Sequence, residues 1–275
     1  MLPSWRDEIR AVLCPDRVIL VRVARGFRRK VVAKQLVPCE AGQGGWQPAV
    51  DALRAALAQP RWSVAADATL VISNHFVRYR LVPWSAELAD DDEERAWVAR
   101  HFTDTYGEPA APLEYQWSAQ TPDGLCLASA VDRELIAGVN AAFAKSASRL
   151  RSIQPYFMYA FNRWRVSMSG ARQWFVLGEP GQVCIGSVAR GRWCSFRAGK
   201  LGAEWQAEMP VLLQREMLLA EAGGDGEVLV HFAGMAESAL THLTQPAARP
   251  LSPPPIAGYS PATDSAYAMA FSGAG

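Results

Sequence analysis

RQWFVLGEPGQVCIGSVARGRWCSFR, residues 172–197, decides the architecture. Three short runs within it, 172–177, 182–189 and 192–197, are rich in Trp, Phe, Val and Ile, the side chains that fill a pleated, half-buried surface. The joints at 178–181 and at Arg190-Gly191 leave room only for tight turns, so the runs predict an antiparallel meander of three strands. A helix is expected over 203–221, where Trp205, Met209, Leu212, Leu213 and Leu219 recur at helical spacing and turn inward. The glycines of 223–226 stop it. A strand over 227–233, a turn at Gly234 and a helix over 235–243 follow, so this half reads β-β-β-α-β-α.

The first half carries a similar grammar. Residues 16–25, DRVILVRVAR, show little polar alternation and predict a strand covered on both faces, which Gly26 breaks. A second, more polar strand is expected over 27–37, a loop at Gly42-Gln43-Gly44-Gly45, and a helix over 46–57. Residues 68–82 predict two strands with a bend at Ser73-Asn74. The acidic run Asp90 to Glu94 sets a helix start, because acid there offsets the exposed N–H groups, and Trp97, Val98, Phe102 and Tyr106 form the stripe of that helix. Strands 113–118 and 125–131 pair around the turn 121–124, and Asp132 caps a helix running to about Lys145. A short strand at 150–154 and a helix over 155–165, apolar nearly all round and hence buried, complete this half.

These patterns predict a first lobe over 1–166 and a second over 167–245, with a hinge at 167–170. A Pro-rich linker, extended and poorly ordered, is expected over 246–261, and a terminal helix over 262–275 docks back on the fold.

Composition removes several classes. A formal charge of +1 gives no field for nucleic acid or an anionic membrane. The cysteines at 14, 39, 126, 184 and 194 form no CxxC pair and lie mostly in apolar surroundings, which fits buried thiols in a reducing compartment. No apolar stretch approaches the roughly 18 residues a membrane span needs. Residues 1–13 carry Asp7 and Glu8 and lack the apolar segment of a signal peptide, so the chain reads as cytoplasmic.

Three strands, helix, strand, helix, in two lobes, resembles the actin-like ATPase superfamily, an RNase H-like α/β fold of mixed sheets flanked by helices. The chain is similar to the branch that contains the type IV pilus M-component and the type II secretion L-component. The resemblance is carried by ATLVISNHFVRYRLVPW at 68–84, by Ala130-Val131-Asp132-Arg133-Glu134 within 125–145, by 150–159, by VHFAGMAESAL at 230–240 and by SAYAMAFSG at 265–273. The order of elements bears more weight than any single motif.

That resemblance implies three turns that grip a nucleotide, two of them carrying Asp-x-Gly. Where the first is expected, the hairpin Val21-Arg22-Val23-Ala24-Arg25-Gly26-Phe27 has no Asp and only Gly26. The second reads Leu177-Gly178-Glu179-Pro180-Gly181; Glu179 stands where Asp would, while Pro180 removes an N–H donor that a phosphate needs. The third retains Gly234 alone, followed by Met235. Such losses argue against nucleotide turnover and disfavour ATP as a cofactor.

Other candidates have plainer readings. The run Asp90-Asp91-Asp92-Glu93-Glu94 lacks the alternate ligands and turn glycine of a cation loop, so a solvated helix start is the stronger reading. His75, His101, His231 and His242 offer no paired metal-ligand spacing, and His231, beside Gly234, reads as packing. Ser187, Ser195 and Ser238 lack a nucleophile elbow. The loop at 42–45 lacks the lysine of a phosphate-binding loop. Arg163, Arg165, Arg172, Arg190, Arg192 and Arg197, with Trp164, Trp174 and Trp193, suit a protein contact better than a nucleic-acid patch. The resemblance therefore implies a non-catalytic scaffold that holds, in a groove between lobes, a segment of an inner-membrane assembly protein or of a secretion or pilus ATPase. The alternative is an atypical ATP-binding enzyme that uses Glu179 or Asp132 for its metal.

Overall fold

The computed structural model describes residues 6–26, 28–40, 45–118, 122, 124–168, 171–220, 226–233 and 248–273. In chain order the elements are β1 (Asp7–Leu13), β2 (Arg17–Ala24), β3 (Lys30–Pro38), α1 (Gln47–Leu57), β4 (Ala66–Ile72), β5 (Val77–Pro83), α2 (Asp91–Tyr106), β6 (Leu113–Trp117) and β7 (Leu125–Asp132). They continue with α3 (Arg133–Ala144), β8 (Arg149–Pro155), α4 (Tyr156–Trp164), β9 (Gln173–Glu179), β10 (Gln182–Ala189), β11 (Arg192–Lys200), α5 (Trp205–Leu219), β12 (Glu227–Phe232), β13 (Ala248–Pro250) and α6 (Ala268–Phe271).

Two compact units form. The first comprises Met1–Phe76, Glu134–Trp164 and Ser252–Gly275; the second comprises Val77–Arg133 and Arg165–Leu251. Where a single boundary was expected near 166, the chain passes between units at 76/77, 133/134, 164/165 and 251/252. The cause lies in β5, β6 and β7, which make a sheet of their own, covered by α2, rather than joining the one that β4 enters.

In the first unit the sheet order is β3-β2-β1-β4-β8, with β1, β2 and β3 antiparallel and β4 and β8 parallel to β1. β1 is a strand that the sequence reading missed. Arg10 interrupts its apolar run, and Asp7 and Glu8 disguise its start, yet Ile9 to Leu13 are all buried. Helices α1 and α3 touch closely: a Cβ added to Gly138 would lie 3.2 Å from Val50 Cγ1 and 3.6 Å from the Trp46 ring. Helix α4 packs on β4 and β8, and α6 on β1 and β2.

Of the segment expected to be poorly ordered, the described residues 248–261 are built into the fold. β13 pairs in parallel with β12, and Leu251, Pro253 and Tyr259 are buried. Val31 N donates to Ala257 O (2.8 Å), and the Tyr259 ring stacks on Phe271 with centroids 3.7 Å apart. Proline lacks a donor but keeps its carbonyl, so a Pro-rich strap still serves as acceptor and apolar filler. The expected terminal helix is one turn, α6, with Ala268, Met269, Ala270 and Phe271 all buried.

In the second unit, β11-β10-β9-β12-β13 form one sheet and β5-β7-β6 another. Trp174, Val176, Trp205, Met209, Leu213, Val230 and Phe232 share a core. Leu219, expected inward, is 63% exposed, because it falls on the outer side of the last turn of α5. Val82, Val98, Phe102, Cys126 and Ala128 form a second core under α2. Asp90 caps α2, its Oδ1 accepting from Asp92 N (3.0 Å) and Glu93 N (2.9 Å). Asp90→Ala is expected to lower stability by about 1 kcal/mol in urea denaturation, with Asp90→Asn close to neutral.

Candidate functional site

Ligands of sheets with parallel strands bind outside the carboxyl ends of those strands. In the first unit that edge is set by Leu13, Ile72 and Pro155, the last residues of β1, β4 and β8. The turn there is Cys14-Pro15-Asp16. Cys14 N donates to Arg17 O (2.9 Å), Pro15 has no N–H, and the Asp16 carboxylate holds Arg17 Nη1 at 2.7 Å. The Cys14 thiol is 3.7 Å from Met269 Sδ. Ser73 and Asn74 are buried beside it; Ser73 Oγ accepts from His75 N (3.2 Å), and Asn74 Oδ1 accepts from Phe157 N (3.1 Å) at the start of α4. At this edge Ser73 Oγ and Asn74 Oδ1 serve the fold's own backbone, while the Asp16 carboxylate and the Cys14 thiol meet side chains.

Gly26 lies elsewhere. Val23 pairs with Glu8 in an antiparallel register, so the β2–β3 turn stands beside the start of β1, at the amino end of the parallel strands. Nothing lies within 4 Å of a Cβ placed on Gly26, so packing makes no demand for glycine there. The hairpin taken for the first nucleotide turn is the second hairpin of the sheet, a displacement that follows from missing β1.

In the second unit β9, β12 and β13 run parallel, and their carboxyl ends bring together Gly178, Glu179, Phe232, Ala233 and Leu251. Pro180 and Gly181 make the two-residue turn to β10. Gly181 has φ +81°, as the third residue of a type II turn needs, with Pro favoured just before it. Gly181 therefore answers to the hairpin. Gly178 answers to Phe232, because a Cβ there would lie 2.3 Å from the ring. That ring stacks in turn on Trp205 with centroids 4.8 Å apart. Ala233 N donates to Gly178 O at 3.0 Å, closing the same corner.

Glu179 is buried at the end of β9. Burial first, and the Glu179 charge second, push the neighbouring Cys184 thiol well above its ordinary range, so Cys184 stays protonated and inert. His231 is buried, with Nδ1 2.8 Å from Leu251 O, and so ties β12 to the strap. Gly234, Ser238, His242 and the helix expected over 235–243 lie outside the described residues, as do residues 42–44 of the Gly-rich loop.

Asp132 ends β7 in the three-stranded sheet, whereas Glu179 belongs to the five-stranded one. Among the described residues no group of three His, Cys, Asp or Glu side chains is placed to hold a metal ion. Ser187 and Ser195 bond each other across β10 and β11 at 2.7 Å. His101 stands edge-on to Trp97 (4.7 Å), its pKa lowered by burial and by Arg80.

Of the arginines read as one patch, Arg163 belongs to the first unit and the other five to the second. Arg190 and Gly191, at φ +51° and +77°, form the turn between β10 and β11. Arg197 pairs with Glu216 (3.1 Å), and Arg192 donates to Pro122 O (2.8 Å). The sequence reading missed a buried network in the first unit. Glu8 receives Arg10 Nε on Oε1 (2.8 Å) and Arg25 Nη2 on Oε2 (3.2 Å), and Arg10 lies over the Phe271 ring (5.2 Å). The signal was present: Glu8 and Arg10 are two apart on one strand, hence on one face.

No protein-family model matches the chain, and no curated protein matches it. Solved structures do. The chain superposes on a structure titled "PilM-PilN type IV pilus biogenesis complex" with TM-score 0.67 and 11% identity, covering 96% of this chain and 97% of that one. A Bacteroides thetaiotaomicron protein of actin-like ATPase fold and unknown function gives TM-score 0.61 at 8% identity, over 89% and 90% of the two chains. The cytoplasmic domain of EpsL, an inner-membrane component of the Vibrio cholerae type II secretion system, gives 0.56 at 9%, over 87% and 93%. The chain has the actin-like ATPase fold, as its order of elements implied.

Proposed function

We propose that this protein is a non-catalytic actin-like scaffold of an envelope assembly of the pilus or type II secretion kind. In this reading it works at the inner face of the inner membrane, holding a segment of an inner-membrane assembly protein or of an assembly ATPase. One observation carries the proposal. The turn that should grip phosphate is occupied by the protein's own packing: Phe232 rests on Gly178, and Pro180-Gly181 closes a plain hairpin. A phosphate cradle needs free N–H groups and room for the backbone to approach, and this corner offers an aromatic ring and an imide. The Cys14-Pro15-Asp16 turn of the other sheet supports the same reading, having one N–H spent and one absent. The likeness to structures titled PilM-PilN and cytoplasmic EpsL supports the choice of assembly.

Titration calorimetry of the full chain with Mg-ATP is expected to give no saturable heat. Capture on the immobilised chain from a bacterial membrane extract is expected to return an inner-membrane assembly component. Glu179 motivates the other reading, an atypical ATP-binding enzyme, because it is a buried acid at a strand's carboxyl end. Micromolar Mg-ATP binding that disappears in a folded Glu179→Ala variant would establish that reading and end the scaffold proposal.

A further inference from the structure

Helix α5 has two apolar faces. Trp205, Met209 and Leu213 recur every fourth residue and pack into the core of the second unit. On the opposite side Ala207, Val211, Gln214 and Leu218 stand four, three and four residues apart and are all exposed, Val211 by 66% and Leu218 by 80%. Steps of four and three are the a/d seam of a coiled coil, the stripe that one helix presents to another. Chains rarely leave a contiguous apolar stripe in water without a partner for it. The two flanks of the seam differ. One carries Glu208 and Arg215, both exposed, and Glu208 Oε2 accepts from Gly202 N (3.2 Å), which fixes that side chain. The other flank carries Pro210 and Met217, both half-buried.

We propose that the outer seam of α5 pairs antiparallel with α5 of a second copy of this chain, about a two-fold axis. In that orientation the seam is complementary to itself. Setting Val211 against the partner's Gln214 places Ala207 against the partner's Leu218, small against large. It also brings Glu208 beside the partner's Arg215 on one flank and Pro210 beside the partner's Met217 on the other. The two-fold axis repeats each contact. In a parallel pair unlike flanks meet, so Arg215 would face Pro210 and Glu208 would face Ala203, and neither charge would find its opposite. An anionic membrane is the poorer occupant, because a helix lying on lipid needs Lys or Arg along its flanks, and here a glutamate stands on one flank while the other is neutral. Helix α5 has 15 residues, about 22 Å of helix, so the contact is smaller than a standard interface and the dimer is reversible. The inference stands on α5 alone and does not depend on the scaffold reading.

Sedimentation equilibrium of the full chain over about 1–100 μM tests this. A reversible monomer–dimer equilibrium is expected. Leu218→Glu should weaken the dimer at least about tenfold, and Gln214→Leu should strengthen it, because a polar side chain leaves the seam. Glu208→Arg and Arg215→Glu should each weaken it, and the two together should restore it, since the flank contact re-forms with its signs exchanged. The thermal midpoint of Leu218→Glu at the dilute end of the range should match that of the natural chain; a fall would mean that another segment of the same chain covers the seam and would overturn the proposal. A chain that stays monomeric throughout, a dimer indifferent to Leu218→Glu, or charge reversals that the double variant fails to restore would each overturn it. Binding of phosphatidylserine vesicles that Leu218→Glu abolishes would assign the seam to lipid and overturn it too. A missing dimer leaves the scaffold proposal standing, and failed membrane-extract capture leaves the dimer standing.

Discussion

Gly178→Val is expected to lower the stability of the second unit by about 3 kcal/mol, seen as a fall in the urea midpoint of the full chain. Gly178 has no positive φ, so its backbone would accept a side chain. What excludes one is the Phe232 ring, 2.3 Å from the site of a Cβ and held on its other side by Trp205. Phe232→Ala alone should cost about 3–5 kcal/mol, the usual loss for a buried aromatic. The double variant should cost less than the sum by at least about 1 kcal/mol, because the new isopropyl group occupies the space the ring has left. Additive costs would detach the glycine from the ring and return Gly178 to the list of residues kept for a ligand. The cycle thus tests, by stability alone, whether this corner was given over to packing.

Glu8→Gln is expected to cost about 3–5 kcal/mol, the loss that follows when one member of a buried ion pair is removed. Arg10 would keep its charge with a side chain only 3% exposed and lose its carboxylate. The same group sets part of the acid sensitivity. Burial alone would raise the pKa of Glu8, but the bonds and charges of Arg10 and Arg25 outweigh it, so the folded value lies below the ordinary 4.5. A depressed folded pKa means the stabilisation is complete above the unfolded value and is lost as pH falls through the folded one. Denaturation midpoints of the natural chain should fall on acidification below about pH 4.5, and Glu8→Gln should flatten that limb. Parallel acid limbs in the two proteins would refute the assignment.

Strand and helix order was legible wherever the buried surface was continuous. The runs at 172–197 gave the meander to within a few residues, because Trp174, Val176, Val183 and Ile185 alternate with short turns that nothing else could occupy. The acid run at 90–94 located α2 because a helix start exposes N–H groups that carboxylates satisfy. Legibility failed at β1, where Glu8 and Arg10 neutralise each other inside the fold; a pairwise compensation looks like polar sequence until the partners are known. That one omission moved the expected first nucleotide turn to the opposite edge of the sheet. It failed again over 248–261, since composition registers the donors proline lacks and not the acceptors it keeps. The role of Gly178 was out of reach for a related reason: Phe232 lies on another strand, more than fifty residues away in sequence. Spacing within one strand cannot report such a neighbour.

The four passages of the chain between its compact units constrain how the protein is made. The first sheet needs β8 and the closing turn at 268–271, and the second needs β13, so neither is whole until those late residues have been made. The meander at 7–38 is made long before Phe271 and Tyr259, so its apolar face waits for them. During synthesis that face is a natural client for chaperones. A stop codon anywhere before residue 248 would remove one edge of each unit's packing at once, so nascent chains that terminate early should be degraded rather than accumulate as a working half.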